Sequence, residues 1–272
     1  MDRIIDGEHD FANGKLRVRR AQGLVAITFD NLDKLNAMTL SMWQALGDVC
    51  AALAADDSIR VVTLEGSGDR AFVVGADISE FGETRNNAEN AAIYGAAVER
   101  AERALEDMPV PTLALVRGYC IGGGLGIAMR CDLRLARDDA QFAITPAKLG
   151  LGYGFDGVAS LFQRLGHATS ADMLFSGRKM RADEALAKGV CDFVFSAATF
   201  KSDCAAYSAQ LAHNAPLTIR AAKKALRMLA LTEADQDRGA VDARVKACFD
   251  SADYVEGQRA FAQKRSPVFK GN

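Results

Sequence analysis

The sequence has little of what marks several common classes of protein. None of its 272 residues belong to an apolar run that approaches the roughly 18 residues needed to span a membrane. The N-terminal segment lacks the apolar core of a signal peptide. A formal net charge of −2 argues against a basic surface for nucleic acid or anionic lipid. We therefore expect a cytoplasmic protein with neither a membrane nor a nucleic-acid partner.

Histidine and paired cysteine are also scarce, which limits the available chemistry. The three histidines are His9, His167 and His213, and the six cysteines show no C-x-x-C pair and no metal-ligand spacing. Cys120 adjoins a glycine run, but a thiol nucleophile needs a neighbouring base. We expect reduced, mostly buried thiols and no metal site.

Strand-like and helix-like segments alternate up to about residue 195. The runs KLRVRR and GLVAITF predict a hairpin across Gln22 and Gly23, and RVVTLEG, PTLALVRG, CDLRLAR and DFVF predict further strands. Apolar residues at helical spacing predict one helix after Thr39, its N-cap, and an alanine-rich helix over residues 86–107. This alternation indicates an α/β core.

After about residue 198 the strand signal disappears. FKSDCAAYSAQLAHNA, APLTIRAAKKALRMLAL and SADYVEGQRAFAQKR predict three helices, the second with an apolar stripe of Ile219, Ala222, Leu226 and Leu229. Such a stripe packs either in the core or on a neighbouring subunit. We divide the chain into a core over residues 1–197 and a helical region over residues 198–272, joined as one unit.

Glycines follow two of the predicted strands. In CIGGGLGIAMRCD, the run Gly122, Gly123 and Gly124 opens a helix, where the first N–H groups lack intrahelical partners and the dipole is positive. In AFVVGADISEF, a Gly-Ala step follows a strand, with Asp77 able to cap the next turn. Free N–H groups at both places suit a negative oxygen, with a tight turn into a packed helix as the alternative. A dinucleotide loop fits poorly, because Ile127 occupies the third glycine position of G-x-G-x-x-G.

With these two motifs the sequence resembles the crotonase, or enoyl-CoA hydratase/isomerase, superfamily. The matching segments are, in chain order, KLNAM at 34–38, AFVVGADISEF, VRGYCIGGGLGIAMRCDLRLA at 116–136, GRKMRADEALAKGVCDFVF and EGQRAFAQKRSPVF. Together they span nearly the whole chain. The resemblance implies an α/β, crotonase-like spiral of ββα units with a C-terminal helical oligomerisation region that forms trimers or hexamers.

The resemblance also implies a substrate and a site. The substrate would be an acyl group on coenzyme A, with no separate cofactor. The amides of Ala76 and Gly123 would hold the thioester oxygen as it becomes an enolate, a role that suits backbone donors because protonation cannot remove them. Lys264 would approach the nucleotide phosphates, with a solvated surface lysine as the alternative. The path of CoA and its pantetheine arm would be lined by residues 76–79, which are Ala76, Asp77, Ile78 and Ser79.

Both glutamates of the family hydratases are absent from the matching positions, which hold Gly126 and Ala147. In those hydratases one glutamate activates water and the other supplies the α-proton. Each positioned proton transfer contributes roughly 10²–10⁴-fold to the rate. The two-glutamate mechanism therefore cannot be carried over to this chain.

The loop TPAKLGLGYGFDG at residues 145–157 and the C-terminal tail resemble the methylmalonyl-CoA decarboxylase-like branch of the superfamily. Loss of CO₂ from a malonyl-type CoA ester forms the same enolate without a base, so this lyase reaction is the preferred hypothesis. Tyr153 is the candidate for orienting the carboxylate or relaying the proton, with a packed aromatic as the alternative. One departure is Ala76, where that branch has histidine.

Other functions stay open. A hydratase or isomerase would need another acid or base, and Asp156 and Glu80 are the first to consider. Asp156 is nevertheless expected to be the N-cap of the helix DGVASLFQRL, while Asp77 and Glu80 are expected to serve helix ends. Asn36 is expected to fix its own loop. The chain would otherwise be a CoA-binding or RNA-binding pseudoenzyme, and its charge balance argues against RNA.

Overall fold

A computed structural model describes residues 4–84 and 86–272 of the protein. Its strands are β1 (Gly7–Phe11), β2 (Leu16–Ala21), β3 (Leu24–Phe29), β4 (Val61–Gly66), β5 (Ala71–Val73), β6 (Thr112–Val116), β7 (Tyr119–Ile121), β8 (Leu133–Arg137), β9 (Gln141–Ala143), β10 (Met180–Arg181) and β11 (Phe193–Phe195). Its α-helices are α1 (Leu40–Ala54), α2 (Phe81–Thr84), α3 (Ala88–Glu106), α4 (Gly123–Arg130), α5 (Phe155–Ser176), α6 (Ala182–Ala187), α7 (Phe200–His213), α8 (Pro216–Leu229), α9 (Arg238–Phe249) and α10 (Ala252–Ala262).

The strands form two sheets linked by a repeating unit. The seven-stranded sheet has the order β1-β2-β3-β4-β6-β8-β11, and the four-stranded sheet has the order β10-β9-β7-β5. Three strand pairs follow one another along the chain: β4 with β5, β6 with β7, and β8 with β9. In each pair the first strand belongs to the large sheet and the second to the small one, and a helix follows. This is the spiral of ββα units predicted from the sequence. Because β5, β7 and β9 run parallel, the loops that follow them leave from one edge of the small sheet.

The local predictions for the core are confirmed. β2 and β3 pair across Gln22 and Gly23, whose φ angles of 52° and 78° are the positive values that a type I′ hairpin turn requires. The Thr39 hydroxyl accepts a hydrogen bond from the Met42 amide and so caps α1. Each of the other predicted strands is present.

Helices cover the sheets with apolar side chains. Trp43 of α1 and Tyr94 of α3 are buried, and the Trp43 Nε1 donates a 2.9 Å hydrogen bond to the Tyr94 hydroxyl. On the large sheet, α7 contributes Phe200 and Cys204 to a separate apolar cluster. The first helix after residue 198 therefore packs directly on the core sheet.

The C-terminal region has four α-helices where the sequence predicted three. The missed helix is α9, which begins after Asp237, whose carboxylate accepts a hydrogen bond from the Ala240 amide. No residue of α9 is buried in the chain. Its apolar pattern is weak because a helix that buries no side chain in the chain has no need of an apolar face. In α8, Leu226 and Leu229 of the predicted apolar stripe are 69% and 73% exposed.

The cysteines are free, and five of the six are buried, with Cys248 intermediate. Burial raises the pKa of the Cys120 thiol well above its usual value, so this side chain stays protonated and is a poor nucleophile. Over residues 4–84 and 86–272, no cluster of three or more His, Cys, Asp or Glu side chains is arranged to bind a metal ion. No helix in the described part of the chain combines the length and the apolar character needed to cross a membrane.

Candidate active site

Two glycine loops meet at the edge of the small sheet. One follows β5 and contains Gly75; the other follows β7 and contains Gly122. The φ angles of these residues, 101° and 56°, lie in the region that favours glycine. The two backbones are in contact, since a Cβ on Gly122 would stand 3.7 Å from the Gly75 Cα.

The amide of Ala76 is left free by the way its neighbours are held. The Met38 amide donates to the Gly75 carbonyl at 2.8 Å, and the Asp77 amide donates to the Met38 carbonyl at 2.9 Å. Ala76 itself forms the isolated parallel bridge with Met38. Because the polar groups of consecutive extended residues point to opposite sides, the Ala76 N–H is directed away from Met38. No other group in the described part of the chain accepts a hydrogen bond from it.

The second free amide belongs to Gly123, the first residue of α4. An N–H at this position has no intrahelical acceptor and sits at the positive end of the helix dipole. The Gly123 nitrogen is 3.7 Å from the position of a Cβ on Gly75, so it adjoins the loop that carries Ala76. Within residues 4–84 and 86–272 no acceptor is bonded to this amide either. The structure therefore brings Ala76 and Gly123 together on adjoining loops.

Gly124 has a different role from Gly123. A Cβ on Gly124 would lie 2.1 Å from the Val73 carbonyl oxygen, a separation that no side chain permits. Glycine at this position lets the start of α4 pack directly on β5. Within the glycine run, Gly124 therefore permits tight packing of the helix, whereas the free amide belongs to Gly123.

One face of α4 stays accessible beyond the glycine loop. Gly122, Gly126 and Arg130, spaced four residues apart, lie on this face and are partly exposed, whereas residues 127–129 are buried. The carboxylate of Glu102, on α3, stands against the same face. Its Oε1 is 3.0 Å from the position of a Cβ on Gly126. Its Oε2 accepts a hydrogen bond of 3.2 Å from the Arg130 Nε.

The surroundings of Glu102 alter its acidity. Burial is the largest influence and raises the pKa of the Glu102 carboxyl; the Arg130 guanidinium opposes this, and the charges of Glu106 and Asp156 add to it, so that the net change is upward. Burial and then the charge of Glu102 raise the pKa of Tyr153 to about 12. A carboxyl group and a phenol therefore share this region, and the phenol keeps its proton at physiological pH.

The sequence does not mark Glu102 as a site residue. It lies within the alanine-rich helix, outside the segments that resemble the family, and nothing in its neighbours marks it as special. In the sequence it is one of four glutamates in that helix, and nothing separates it from the other three.

The other predicted site residues occupy distinct places. The Asp77 carboxylate is buried and accepts hydrogen bonds from the Ser79 amide and hydroxyl, at 3.1 and 2.6 Å, so it caps a turn as predicted. Ile78 and Ser79 are exposed beside Ala76. Lys264 is exposed after α10, and no hydrogen bond or ion pair between described residues joins its side chain to either glycine loop.

Glu80 and Asp156 were both expected at helix ends. The Glu80 carboxylate accepts a hydrogen bond from the Leu40 amide at the start of α1, which confirms its place at a helix end. Asp156 is not an N-cap: α5 begins at Phe155 after Gly154, which places Asp156 in the first turn, where a negative charge suits the helix dipole.

Asn36 reaches beyond its own loop, contrary to expectation. Its Nδ2 donates to the carbonyls of Ser67 and Ala71, at 3.0 and 2.9 Å. Ser67 follows β4 directly and Ala71 is the first residue of β5, so Asn36 joins the loop before α1 to the segment that leads to Gly75. The prediction was wrong because the partners of a buried amide depend on which segments pack around it.

The chain is similar to known proteins over nearly its whole length. The profile of the enoyl-CoA hydratase/isomerase family matches residues 19–272. A carnitinyl-CoA dehydratase of Proteus mirabilis is 33% identical over 242 residues, which cover 88% of this chain and 92% of that protein. A short-chain-enoyl-CoA hydratase of Clostridium acetobutylicum is 29% identical over 245 residues, covering 90% and 93% of the two chains.

Solved structures show the same likeness in three dimensions. The crystal structure of an enoyl-CoA hydratase/carnithine racemase from Magnetospirillum magneticum has a TM-score of 0.88 and 32% identity, covering 96% of this chain and 97% of that one. An enoyl-CoA hydratase from Bacillus anthracis has a TM-score of 0.85 and 25% identity, covering 95% and 100%. On its profile match, its relatives and its ββα spiral, the chain belongs to the enoyl-CoA hydratase/isomerase family of the crotonase superfamily.

Proposed function

We propose that the protein adds water to, or eliminates it from, the acyl group of a CoA thioester, through an enolate bound by the amides of Ala76 and Gly123. The observation that carries this proposal is the pair of free amides on adjoining loops. As the enolate forms, negative charge develops on the thioester oxygen, and fixed backbone donors stabilise that charge without rearranging. Loss of one such donor typically lowers kcat by about 10²–10³-fold.

The names of similar proteins support hydration or dehydration as the reaction. Proteins similar to this chain are named carnitinyl-CoA dehydratase and short-chain-enoyl-CoA hydratase. Hydration and dehydration both require a proton to move at the α-carbon, and the site contains a carboxyl group of raised pKa beside Gly126.

The CoA moiety is proposed to run along residues 76–79. The Ile78 side chain offers an exposed apolar surface next to Ala76, and the Ser79 side chain lies beside it. The Asp77 carboxylate already accepts a hydrogen bond from Ser79, so Asp77 would contact CoA through its backbone. Lys264 is proposed to meet the nucleotide phosphates with its exposed ammonium group.

Decarboxylation of a malonyl-type CoA ester is the second candidate. It is favoured by Gly126 and Ala147, which leave both family glutamate positions without a carboxylate, and by Tyr153, whose protonated hydroxyl can donate to a substrate carboxylate. An ionised Glu102 in the same region would repel that carboxylate. Hydration or dehydration is therefore the better supported function.

We also propose that the helical region mediates assembly into a trimer or hexamer. An apolar cavity of about 700 Å³ lies between α8, α9 and α10, lined by residues that include Val245, Phe249 and Phe261. Phe249 and Phe261 are exposed in the single chain, as are Leu226 and Leu229 of α8. Apolar surface of this extent suits contact with another subunit.

The experiment offers the purified protein crotonyl-CoA, a 3-hydroxyacyl-CoA and methylmalonyl-CoA. We expect reversible hydration to be the faster reaction. Release of CO₂ from methylmalonyl-CoA without hydration of crotonyl-CoA would instead establish the second candidate. Failure to turn over any ester would overturn both, and a rise in melting temperature with acyl-CoA or binding to RNA would then identify a pseudoenzyme.

The amide assignment is tested by a matched pair of variants. Gly123→Pro removes the N–H at the first helical position, where proline is well tolerated, and should lower kcat by about 10²–10³-fold. Gly123→Ala keeps the N–H and brings a Cβ to 3.3 Å from the Trp43 ring, so it controls for added bulk. Equal activity in both variants would refute the assignment.

A further inference from the structure

We infer that Glu102, supplied from α3, is the catalytic acid and base of this site and acts from the place that a side chain at Gly126 would occupy. This inference rests on the proposed hydration or dehydration and names the group that performs its proton transfers.

The position of Glu102 relative to the oxyanion-binding amides follows from the geometry of α4. Gly126 lies three residues beyond Gly123, which corresponds to an axial rise of about 4.5 Å. Apart from α4 itself, the Glu102 Oε1 is the one described atom within 4 Å of the Cβ position at Gly126. The space beside Gly126 is therefore bordered by this carboxylate and is otherwise open, one helical turn from the Gly123 amide.

The two oxygens of the carboxylate differ in their partners. Oε2 is held by the Arg130 guanidinium, with Nε at 3.2 Å and Nη2 at 3.1 Å. Oε1 receives no hydrogen bond from residues 4–84 or 86–272. The Arg130 Nη1 is in turn bonded to Glu106 at 2.9 Å, which orients the guanidinium. One oxygen is thus fixed while the other remains available, and Arg130 is a positioning residue.

The burial of this pair limits alternative explanations. The side chains of Glu102 and Arg130 are 16% and 13% exposed. An ion pair that served only stability would gain little from burial, because removing two charges from water costs about as much as their attraction returns. A carboxylate with one unbonded oxygen beside the Cβ-free position of Gly126 is instead suited to accepting a proton from a substrate or water.

The proton transfers balance within the site. In hydration, the water oxygen bonds to C3 of the enoyl thioester while its proton passes to the Glu102 Oε1. The double-bond electrons move onto the thioester oxygen, which the Ala76 and Gly123 amides stabilise. The enolate then takes the proton from the Glu102 carboxyl at C2, which regenerates the carboxylate. Elimination follows the same steps in reverse, and no further reactant is required.

The charged groups around Glu102 suit a carboxyl group that must both accept and donate a proton. Burial raises the pKa of the Glu102 carboxyl above its ordinary value, and a carboxylate with a higher pKa accepts a proton more readily. The groups that influence it are Arg130 from α4, Glu106 from α3 itself and Asp156 from α5, while its own charge acts on Tyr153. Arg130 is the one cation among them and keeps the carboxylate from being neutralised altogether.

The test compares Glu102→Gln with Glu99→Gln. The first replaces the carboxylate by an amide of the same shape; the second makes the same change one turn earlier on α3, at an exposed residue paired with Arg103. We expect Glu102→Gln to lower kcat for crotonyl-CoA by about 10²–10⁴-fold with unchanged affinity for CoA esters, and Glu99→Gln to retain wild-type kcat.

A second readout separates this inference from the proposed function. Exchange of the α-protons of butyryl-CoA in D₂O requires an enolate and a base but no hydration. Wild-type protein should catalyse this exchange, and Glu102→Gln should not. Hydration and exchange that both survive Glu102→Gln would overturn the role of Glu102 and leave the proposed function intact. Absence of both reactions from the wild-type protein would overturn the proposed function and the inference with it.

Relocation of the carboxylate provides the strictest check. Combining Glu102→Ala with Gly126→Glu removes the close Oε1 and places a carboxylate on the accessible face of α4. The kcat of this double variant should be at least tenfold higher than that of Glu102→Ala alone. If Glu102→Gln fails to fold, Glu102→Asp keeps the charge and should reduce kcat while preserving the acid limb of the pH profile; an unchanged kcat would count against the inference.

Discussion

The Oε1 of Glu102 lies 3.0 Å from the point where a side chain at Gly126 would begin. The hydratases of the family that the sequence resembles place a glutamate at the position of Gly126, and in this chain the carboxylate of Glu102, on another helix, stands beside that position. The loss of a side chain in α4 and the presence of an acid in α3 are therefore complementary. The site is explained only by the open space at Gly126 and the carboxylate of Glu102 together.

The pH dependence of hydration should report the surroundings of Glu102. The carboxylate is the active form of the base, so kcat/KM should fall as pH decreases through its pKa. Because this pKa is raised, the fall should begin at a higher pH than the value of about 4.3 for an ordinary glutamate. The measurement is kcat/KM for crotonyl-CoA across the acid range.

The same pH profile should respond to Arg130→Met. Removing the guanidinium removes the charge that lowers the Glu102 pKa, so the acid limb should move to higher pH. Arg103→Met, which disrupts the exposed ion pair with Glu99, is the control and should leave the limb in place. A limb that stays fixed in Arg130→Met would show that another group controls the reaction.

Replacement of Tyr153 by phenylalanine should distinguish the two candidate reactions. The ring packs against the core and is retained, so folding and CoA binding should persist. Hydration should be little affected, whereas decarboxylation should slow by about tenfold if the hydroxyl holds the substrate carboxylate, the value of one hydrogen bond. Parallel assays of both reactions in Tyr153→Phe provide the measurement, and a large loss of hydration would assign the hydroxyl a direct part in it.

Gly124→Ala and Gly95→Ala should change stability in opposite directions. The first places a Cβ 2.1 Å from the Val73 carbonyl, so the start of α4 must shift; we expect a loss of about 1–3 kcal/mol and reduced activity through displacement of the Gly123 amide. The second adds a methyl to α3 where nothing lies within 4 Å, and should stabilise by about 0.5–1 kcal/mol. Urea denaturation measures both, and equal stability of the two variants would contradict the packing argument.

Lys223→Met should destabilise the attachment of α8 to the sheets. The buried Lys223 Nζ donates to the Val110 carbonyl at 2.7 Å and to the Asp132 carboxylate at 2.6 Å. Its removal leaves both acceptors short of a donor, which should cost about 1–3 kcal/mol. Lys224→Met, at the next position, is the control. Thermal unfolding should show a lower Tm for Lys223→Met alone; matching values would mean that the buried contact adds no stability.

Sedimentation should detect a trimer or hexamer at micromolar concentration. Leu226→Glu places a charge on the exposed apolar stripe of α8 and should shift the protein toward smaller species, because a buried unpaired carboxylate in an interface is costly. Asp242→Asn on α9 serves as a surface control. A wild-type protein that sediments as a monomer would refute the assembly proposal.

The order of strands and helices in the core could be predicted from the sequence because local physical chemistry specifies it. Alternating apolar residues mark β2 to β4, positive φ angles at Gln22 and Gly23 permit the hairpin, and Thr39 caps α1. The two glycine loops were also recognisable, since strand, glycine and helix start are consecutive in the chain. Prediction failed at α9, whose side chains are not buried in the chain and whose pattern is correspondingly weak.

The sequence by itself determined that glycine loops follow two of the strands, and it determined that the family glutamates are missing at Gly126 and Ala147. Only the tertiary structure decided which acid stands nearby. The Glu102 carboxylate reaches Gly126 because α3 packs against α4 and Arg130 holds one of its oxygens. Contacts between helices that are distant in the chain arise from packing of whole elements, and spacing along the sequence carries no record of them.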